Sequence, residues 1–467
     1  MTVNETKNKT KKFSVPPAFA LMTFMIFIAV VLSWIVPAGS FDRAPNASGT
    51  MMVVPGTYHE IANKPASVWD GFTAIPRGLA GSASIIFAVF LIGASFTIIE
   101  RSGAIQSSLS KVTKLFHGKE LLMIPIIMAA LSAMCCFIGL LELSMVIIPI
   151  MIPICLALGF DTLTAVAIPL IATAAGFGAA VANPFTVVVA QGIGELPLYS
   201  GAAYRTVCIV IITIVGILYV LRYAKKVRQT PTSSIMYERD KELLKENAGV
   251  SYESTGRRKL ALLVMIAGFI AIIIGAMQYK WGLTQISTTF IIMGVVIGAI
   301  TGQGIEGICS NFSAGLSIFS SAAMVSGFAR AITIILEDSS IIDTIVYYIA
   351  NAVQACPSSI AAVAMLVFQT FFNFIVPSGS GQALITMPIM LPLSDLIGVS
   401  RQTAILAYQF GDGFSNILWP TLGYLWACIG FAKIKYEEWF KFILPLILLW
   451  YVVSAILVFV AHAIQWA

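Results

Sequence analysis

Two carboxylates sit where the surrounding sequence is apolar and the backbone is set to turn. Glu142 lies in Gly139-Leu140-Leu141-Glu142-Leu143-Ser144, and Asp412 lies in Gly411-Asp412-Gly413-Phe414-Ser415-Asn416, inside the long apolar stretch Arg401–Ala432. An ionisable group in such a span is costly and is usually kept for a substrate, an ion or a proton. Either acid could bind an ammonium or guanidinium group, or carry a coupling proton; the alternative is a neutral acid hydrogen-bonded to nearby backbone. Glycines beside Asp412 permit close approach of a bound molecule. One possible charge partner exists: Arg330, within Phe312–Leu336, could neutralise a substrate carboxylate or turn outward toward Glu337 and Asp338. Ser378, Gly379, Ser380 and Gln382 are orienting groups at a second glycine-rich turn, or simply the small residues that a flexible turn needs. Asn183 and Asn416 can serve broken-helix backbone and touch substrate, and Ser144 and Ser415 complete the candidate binding set. Two acids against one base favour a substrate with a net positive centre, because a dicarboxylate would add negative charge to negative charge.

The elements that must position these groups are membrane spans. Hydrophobic residues make up 58% of the 467 positions and charged residues 11%, against roughly 25% charged in a soluble domain. Runs near the ~20 residues that cross a bilayer recur from end to end. The first, Phe13–Val36, is too long for a signal peptide and has no small-residue cleavage site after it, so it is expected to be retained. The 7 cysteines are scattered, Cys135-Cys136 cannot clasp a metal, and the 3 histidines lie far apart, so no metal is expected and no cofactor. With no phosphate-binding loop, ATP use is not indicated. Nor is nucleic acid, despite a net charge of +6, because that charge is distributed by topology.

The sequence reads as nine crossings (13–36, 82–99, 162–192, 202–222, 260–277, 286–300, 312–336, 400–432 and 440–463) and two re-entrant hairpins (120–158 and 358–398). With the N-terminus cytoplasmic, inner segments hold 21 of 28 Lys and Arg, which is the positive-inside asymmetry. The polar stretch from Arg222 to Leu260 reads as a solvated tether joining two halves. Trp34, Trp69, Trp281, Trp439 and Trp466 fall near expected interfaces and fit aromatic anchoring.

An internal repeat runs through these spans. A shift of 237 lays Ile98-Ile99-Glu100 on Ile335-Leu336-Glu337, and 239 lays Ile148–Pro153 on Met387–Pro392, both with the spacing P-x-x-x-P. A shift of 235 lays Gly176-Phe177-Gly178 on Gly411-Asp412-Gly413. The first copy begins outside and the second inside, so the copies are inverted. Gly176, Gly178 and Pro184 in one span, and Gly411, Gly413 and Pro420 in the other, are expected to break their helices at mid-membrane. Paired breaks of this kind mark the central site of a secondary transporter. The resulting division is an N-terminal helix and outer loop (1–81), a first inverted repeat (82–222), a cytoplasmic linker (223–259), connecting helices (260–311) and a second inverted repeat (312–467).

Three segments, Asn183–Arg205, Pro377–Leu393 and Leu406–Asn416, are similar to the YfcC-type branch of the anaerobic C4-dicarboxylate carrier (DcuC-like) family, and the resemblance spans essentially the whole chain. It implies an all-α membrane protein of the ion-transporter superfamily, with inverted repeats that each hold a re-entrant hairpin and a broken transmembrane helix. It further implies a scaffold plus a transport domain moving as an elevator, and a homodimer contacting through crossings such as 202–222 and 312–336. The branch is linked to basic amino acids in arginine/ornithine exchange, the parent family to C4-dicarboxylates with proton or sodium coupling. The Ser-Asn-Thr tip signature of the sodium/carboxylate members is absent. The implied location is the bacterial inner membrane, with a small-molecule substrate and the lipid bilayer as partners. Two readings from other classes fare poorly. An intramembrane protease would need G-x-G-D, but Gln409 occupies the first glycine position, and a channel would need one continuous polar pore rather than two offset breaks.

Overall fold

Apolar runs in a bilayer must satisfy their own backbone, and only helices and closed barrels do so. The chain takes the helical solution. In the computed structural model, residues 18–45, 51–107, 116–247, 255–279 and 281–466 are described. Helix α1 (Ala18–Ile35) leads to four short strands, β1 (Gly39–Ser40), β2 (Arg43–Pro45), β3 (Met51–Val53) and β4 (His59–Glu60). They pair antiparallel as β1–β4 and β2–β3. A helix follows inside the expected outer loop, α2 (Val68–Gly81), begun by a reciprocal cap between Ser67 and Asp70. Then come α3 (Ala83–Arg101), α4 (Met123–Ile138), α5 (Leu143–Ala157), α6 (Thr162–Gly178), α7 (Val187–Ile193) and α8 (Ala202–Gln229). The linker helix α9 (Tyr237–Asn247) precedes α10 (Gly256–Tyr279), α11 (Leu283–Ile300) and α12 (Gly304–Asp338). The last part holds α13 (Ile342–Gln354), α14 (Ser358–Ile375), α15 (Gly379–Leu396), α16 (Arg401–Ser415), α17 (Gly423–Phe431) and α18 (Tyr436–Ala463). Among the described residues, 7 helices are long and apolar enough to cross a membrane.

The fold is all-α apart from those strands, with two inverted repeats that each contain a re-entrant hairpin and a broken helix. Hairpin α4–α5 corresponds to α14–α15, and broken helix α6–α7 to α16–α17. Helices α8 and α18 correspond as well, at 28 residues each. The correspondence extends to packing. Helix α4 lies on α6 as α14 lies on α16, while α7 reaches across to α15 as α17 reaches across to α5. Around this bundle α1, α2, α3, α11 and α12 pack together, with α10 on α11. Helix α12 is enclosed over most of 312–336, where Gly315, Phe319, Ala323 and Val325 are buried, so a second copy would meet it only on a narrow face.

The linker departs from the solvated tether expected of it. Met236 and Asp240 are buried. Asp240 accepts from the Thr162 backbone N–H at 2.9 Å and from the Thr162 hydroxyl. Asp161, which caps α6 through the Thr164 N–H at 2.8 Å, accepts from Tyr223 and Ser234 at 2.6 and 2.5 Å. On its other flank, Arg239 holds Glu438 at 3.0 and 3.1 Å and the Lys433 carbonyl at 2.8 Å. The same charges that make this stretch look solvated therefore tie it to the first residues of α6 and α18.

Burial pushes the Asp240 carboxyl above its ordinary value. A raised value in the docked state means docking is strongest below the ordinary carboxylate pKa and weakens as pH rises through the raised one. Hydrogen exchange of α9, corrected for intrinsic rates, should therefore speed up as pH rises, and Asp240→Asn should remove that dependence. Protection that ignores pH in the parent protein would refute this.

Candidate functional site

The two broken helices do not break where their glycines are. Helix α6 runs through Gly176, Phe177 and Gly178 and stops only before Ala179–Thr186, the segment that holds Asn183 and Pro184. Helix α16 likewise runs through Gly411, Asp412 and Gly413 to Ser415, and its non-helical segment, 416–422, holds Pro420. Pro184 and Pro420 thus lie in the breaks, while the four glycines, expected as break points, are helical. The physical reason is contact. A Cβ on Gly413 would lie 2.0 Å from the Gly178 Cα, and one on Gly176 would lie 2.3 Å from the Ser132 carbonyl oxygen. Gly411 faces α14 in the corresponding way, 2.6 Å from the Gln369 Cβ. Small residues let helix backbones approach closely. Gly178 and Gly413 are equivalent positions of the two repeats and touch each other, so the internal symmetry axis passes through that crossing.

Backbone freed at the breaks must find partners. At the second break, four carbonyls are taken by aromatic donors. Asn416 accepts from Tyr424 at 3.1 Å, Ile417 from Trp439 at 2.8 Å, Leu418 from Tyr436 at 2.7 Å and Pro420 from Trp426 at 2.8 Å. Trp439 is fully buried and serves this break rather than an interface. The Asn373 amide donates to the Asp412 carbonyl at 3.0 Å, to Ser415 Oγ at 2.6 Å and to Asn416 Oδ1 at 2.8 Å. At the first break, the Gln409 amide donates to the Ala180 carbonyl at 2.9 Å and the Phe177 carbonyl at 3.4 Å. Its oxygen is held by Arg205, a fully buried guanidinium that also reaches Gln402 at 3.4 Å and stacks on Trp466. Arg205, Gln369, Asn373 and Gln409 were not among the residues the sequence nominated. The available signal was a polar residue within an apolar span, which does not say what it bonds.

Between the two hairpin tips and the two breaks lies a cavity of about 220 Å³. The first tip contributes Gly139 to Glu142 and the second Pro377 to Ser380, while Phe177, Phe185, Asn416, Leu422 and Tyr424 complete the wall. Gly139 adopts a left-handed φ of +71° to end α4, and any side chain there would strike Asn183 Oδ1. Ser378 caps α15, accepting from the Gly381 N–H at 3.3 Å, so the positive end of that helix meets the cavity. Among nominated binding residues, the wall unites Glu142, Ser378, Gly379, Ser380 and Asn416. The wall contains no Lys, Arg or His.

The other nominated residues lie elsewhere. Ser144 is fully buried, bonded to the Leu141 carbonyl at 2.7 Å and beside the Cys428 thiol. Asn183 holds the Phe185 N–H at 2.8 Å, within the first break. Gln382 is fully buried and donates to Gln369, at 2.6 Å to its side-chain oxygen. Ser415 bonds the Gly411 carbonyl at 2.8 Å. Asp412 is fully buried behind Gly379. Arg330 is far from this role: it is partly exposed and pairs with Glu337 at 3.3 Å, the outward-turned alternative.

A family model described as C4-dicarboxylate anaerobic carrier (DcuC) matches residues 15–463. The chain belongs to that family. It is a multi-pass membrane transporter and not an enzyme. Over 96% of both chains it is 32% identical to YfcC of Escherichia coli (strain K12), named as a candidate basic amino acid antiporter. It is 26% identical, over 95% of its own length and 96% of the other, to an uncharacterized protein of Haemophilus influenzae. Two solved structures also align, each at TM-score 0.42 and 16% identity. The YdaH transporter of Alcanivorax borkumensis does so over 97% of this chain and 99% of its own, and MtrF of Neisseria gonorrhoeae over 96% and 95%.

The glycine crossing can be tested directly. Gly413→Ala puts a methyl against backbone that cannot turn aside, and overpacking of this kind costs roughly 1–3 kcal/mol. The purified carrier should lose several degrees of thermal stability. Gly192→Ala, a helical position with nothing within 4 Å, should not. Equal melting temperatures for the two variants would show that the crossing is not close-packed.

Proposed function

We propose that this carrier takes up or exchanges basic amino acids of the arginine/ornithine type across the bacterial inner membrane. The observation that carries the reading is the cavity wall, in which Glu142 is the one side chain able to hold a full charge near neutral pH and no cation is present. The name of the E. coli relative agrees with it. The family description makes a C4-dicarboxylate the rival substrate. Such a ligand would bring two negative charges toward Glu142, and like charges 4 Å apart repel by about 4 kcal/mol at an effective dielectric of 20.

In this reading the substrate's side-chain cation meets Glu142, and its α-carboxylate meets the first N–H groups of α15 with the hydroxyls of Ser378 and Ser380. Asn416 orients the α-amino group from the opposite wall. The bundle of α4–α8, α14–α16 and α18 carries the site and moves as an elevator against a scaffold of α1–α3 and α10–α12. The N-terminus and the basic linker lie in the cytoplasm. Exchange follows from charge: an empty site leaves the Glu142 carboxylate uncompensated, and carrying it through a low-dielectric bilayer is costly. A bound cation cancels it, so the loaded carrier crosses and the empty one stays. The assembly is a homodimer, with α8 offering a more exposed face to a second copy than α12.

Glu142→Gln keeps size and hydrogen-bonding capacity while removing the charge. Losing one charge-assisted hydrogen bond of roughly 1.5–3 kcal/mol should weaken arginine binding about ten- to a hundredfold, read by calorimetry. Parent protein that binds succinate but not arginine would transfer the assignment to dicarboxylates.

A further inference from the structure

We infer that Asp412 is a proton site separate from the substrate site, and that closure of the second hairpin requires it to be protonated. The inference builds on the proposed transport reading but stands on its own geometry. Asp412 is fully buried, and neither side-chain oxygen has a hydrogen-bond partner among the described residues. Three neighbouring tyrosines have committed their hydroxyls elsewhere. Tyr408 gives its hydroxyl to the Gly379 carbonyl at 2.6 Å, Tyr424 to the Asn416 carbonyl at 3.1 Å and Tyr451 to the Gly411 carbonyl at 3.3 Å. Arg205, the buried cation on α8, is engaged by Gln409 and Gln402.

The Asn373 amide and the Ser415 hydroxyl bond the Asp412 backbone carbonyl and not its carboxyl, and the Thr186 hydroxyl is buried with no partner among the described residues. A Cβ on Gly379 would lie 3.2 Å from Asp412 Oδ2, and also 3.3 Å from the Phe177 ring and 2.8 Å from the Thr186 methyl. Titratable groups face Asp412 from its own helix (Tyr408), from α17 (Tyr424) and from α18 (Tyr451). Glu142 stands across the cavity, and α6 and α14 contribute none. An ionised carboxylate without donor or counter-ion is far more costly here than a protonated one. The closed state therefore holds a proton on Asp412.

What separates that proton from the cavity is the second tip itself, because Gly379 both lines the cavity and covers the carboxylate. When the tip opens, water reaches Asp412 and the proton can leave. When it closes, the proton must be back. In an exchange cycle the proton then accompanies every crossing in either direction, with no net proton flow, and alkaline pH slows exchange by withholding closure.

The test is homo-exchange of labelled arginine in liposomes with equal pH on both sides, alongside calorimetric arginine binding. The parent rate should fall as pH rises, approaching about tenfold per pH unit once the site is mostly ionised. Asp412→Asn, permanently neutral, should exchange at the parent's low-pH rate at every pH and bind arginine within about threefold of the parent. Asp412→Glu should keep a pH dependence with a displaced midpoint, which preserves the test if the amide misfolds. A flat parent profile, a strict sodium requirement at fixed pH, or a tenfold loss of arginine binding in Asp412→Asn would each overturn the inference. If the substrate proves to be a dicarboxylate, the same profiles with that substrate decide the matter for Asp412 independently of the role of Glu142.

Discussion

A helix that stops inside an apolar bundle leaves carbonyl and N–H groups that no lipid can satisfy, and the architecture follows from supplying them. The second break is served by a tryptophan or tyrosine at each of four carbonyls, those of 416, 417, 418 and 420, and the first by a side-chain amide whose orientation a buried arginine sets. These donors sit on α14, α16, α17 and α18, so the breaks cannot form unless those elements are already packed around them. Irregular backbone is tolerated at this depth only inside protein or beside a water-filled cavity. The cavity between the tips gives polar groups of the tips and breaks something other than a neighbour to face.

Glycine plays a different part from the one commonly assigned to it in a membrane helix. Gly176, Gly178, Gly411 and Gly413 leave their helices regular and remove side chains where four helices, α4, α6, α14 and α16, meet at close distance. The prolines and asparagines a few residues later lie in the non-helical segments that follow. Contact and interruption are thus separate functions written side by side, which is why a short motif can look like a single signal.

Much of the fold was legible in the sequence because it follows from length and periodicity. Both hairpins, the places of the spans and the correspondence of the copies come from apolar runs and from the shared proline spacing, while α8 and α12 run past their expected limits to Gln229 and back to Gly304. Within the site, Glu142, Ser378, Gly379, Ser380 and Asn416 were legible because polar residues at a turn inside an apolar run have few other roles. Ser144, Gln382 and Ser415 have the same signature yet bond their own helices or a neighbouring amide, a choice made by side-chain direction and not by composition. Helices α2 and α13 escaped notice because each is amphipathic or polar enough to resemble loop. The docked linker escaped for the opposite reason: its charges find partners far away in sequence, at Thr162 and Glu438.

That docking carries a mechanical consequence. Helix α9 is fastened to the starts of α6 and α18, while α10 packs on α11. Asn247 and Gly256 are joined by only a few residues of chain, and a chain drawn straight covers at most about 3.3–3.6 Å per residue. Nine such steps amount to at most about 32 Å, which is the longest separation the ends of α9 and α10 can reach. In the elevator reading proposed above, the linker is a leash that sets an upper limit on the travel of the bundle, with no need for any contact in the membrane to act as a stop.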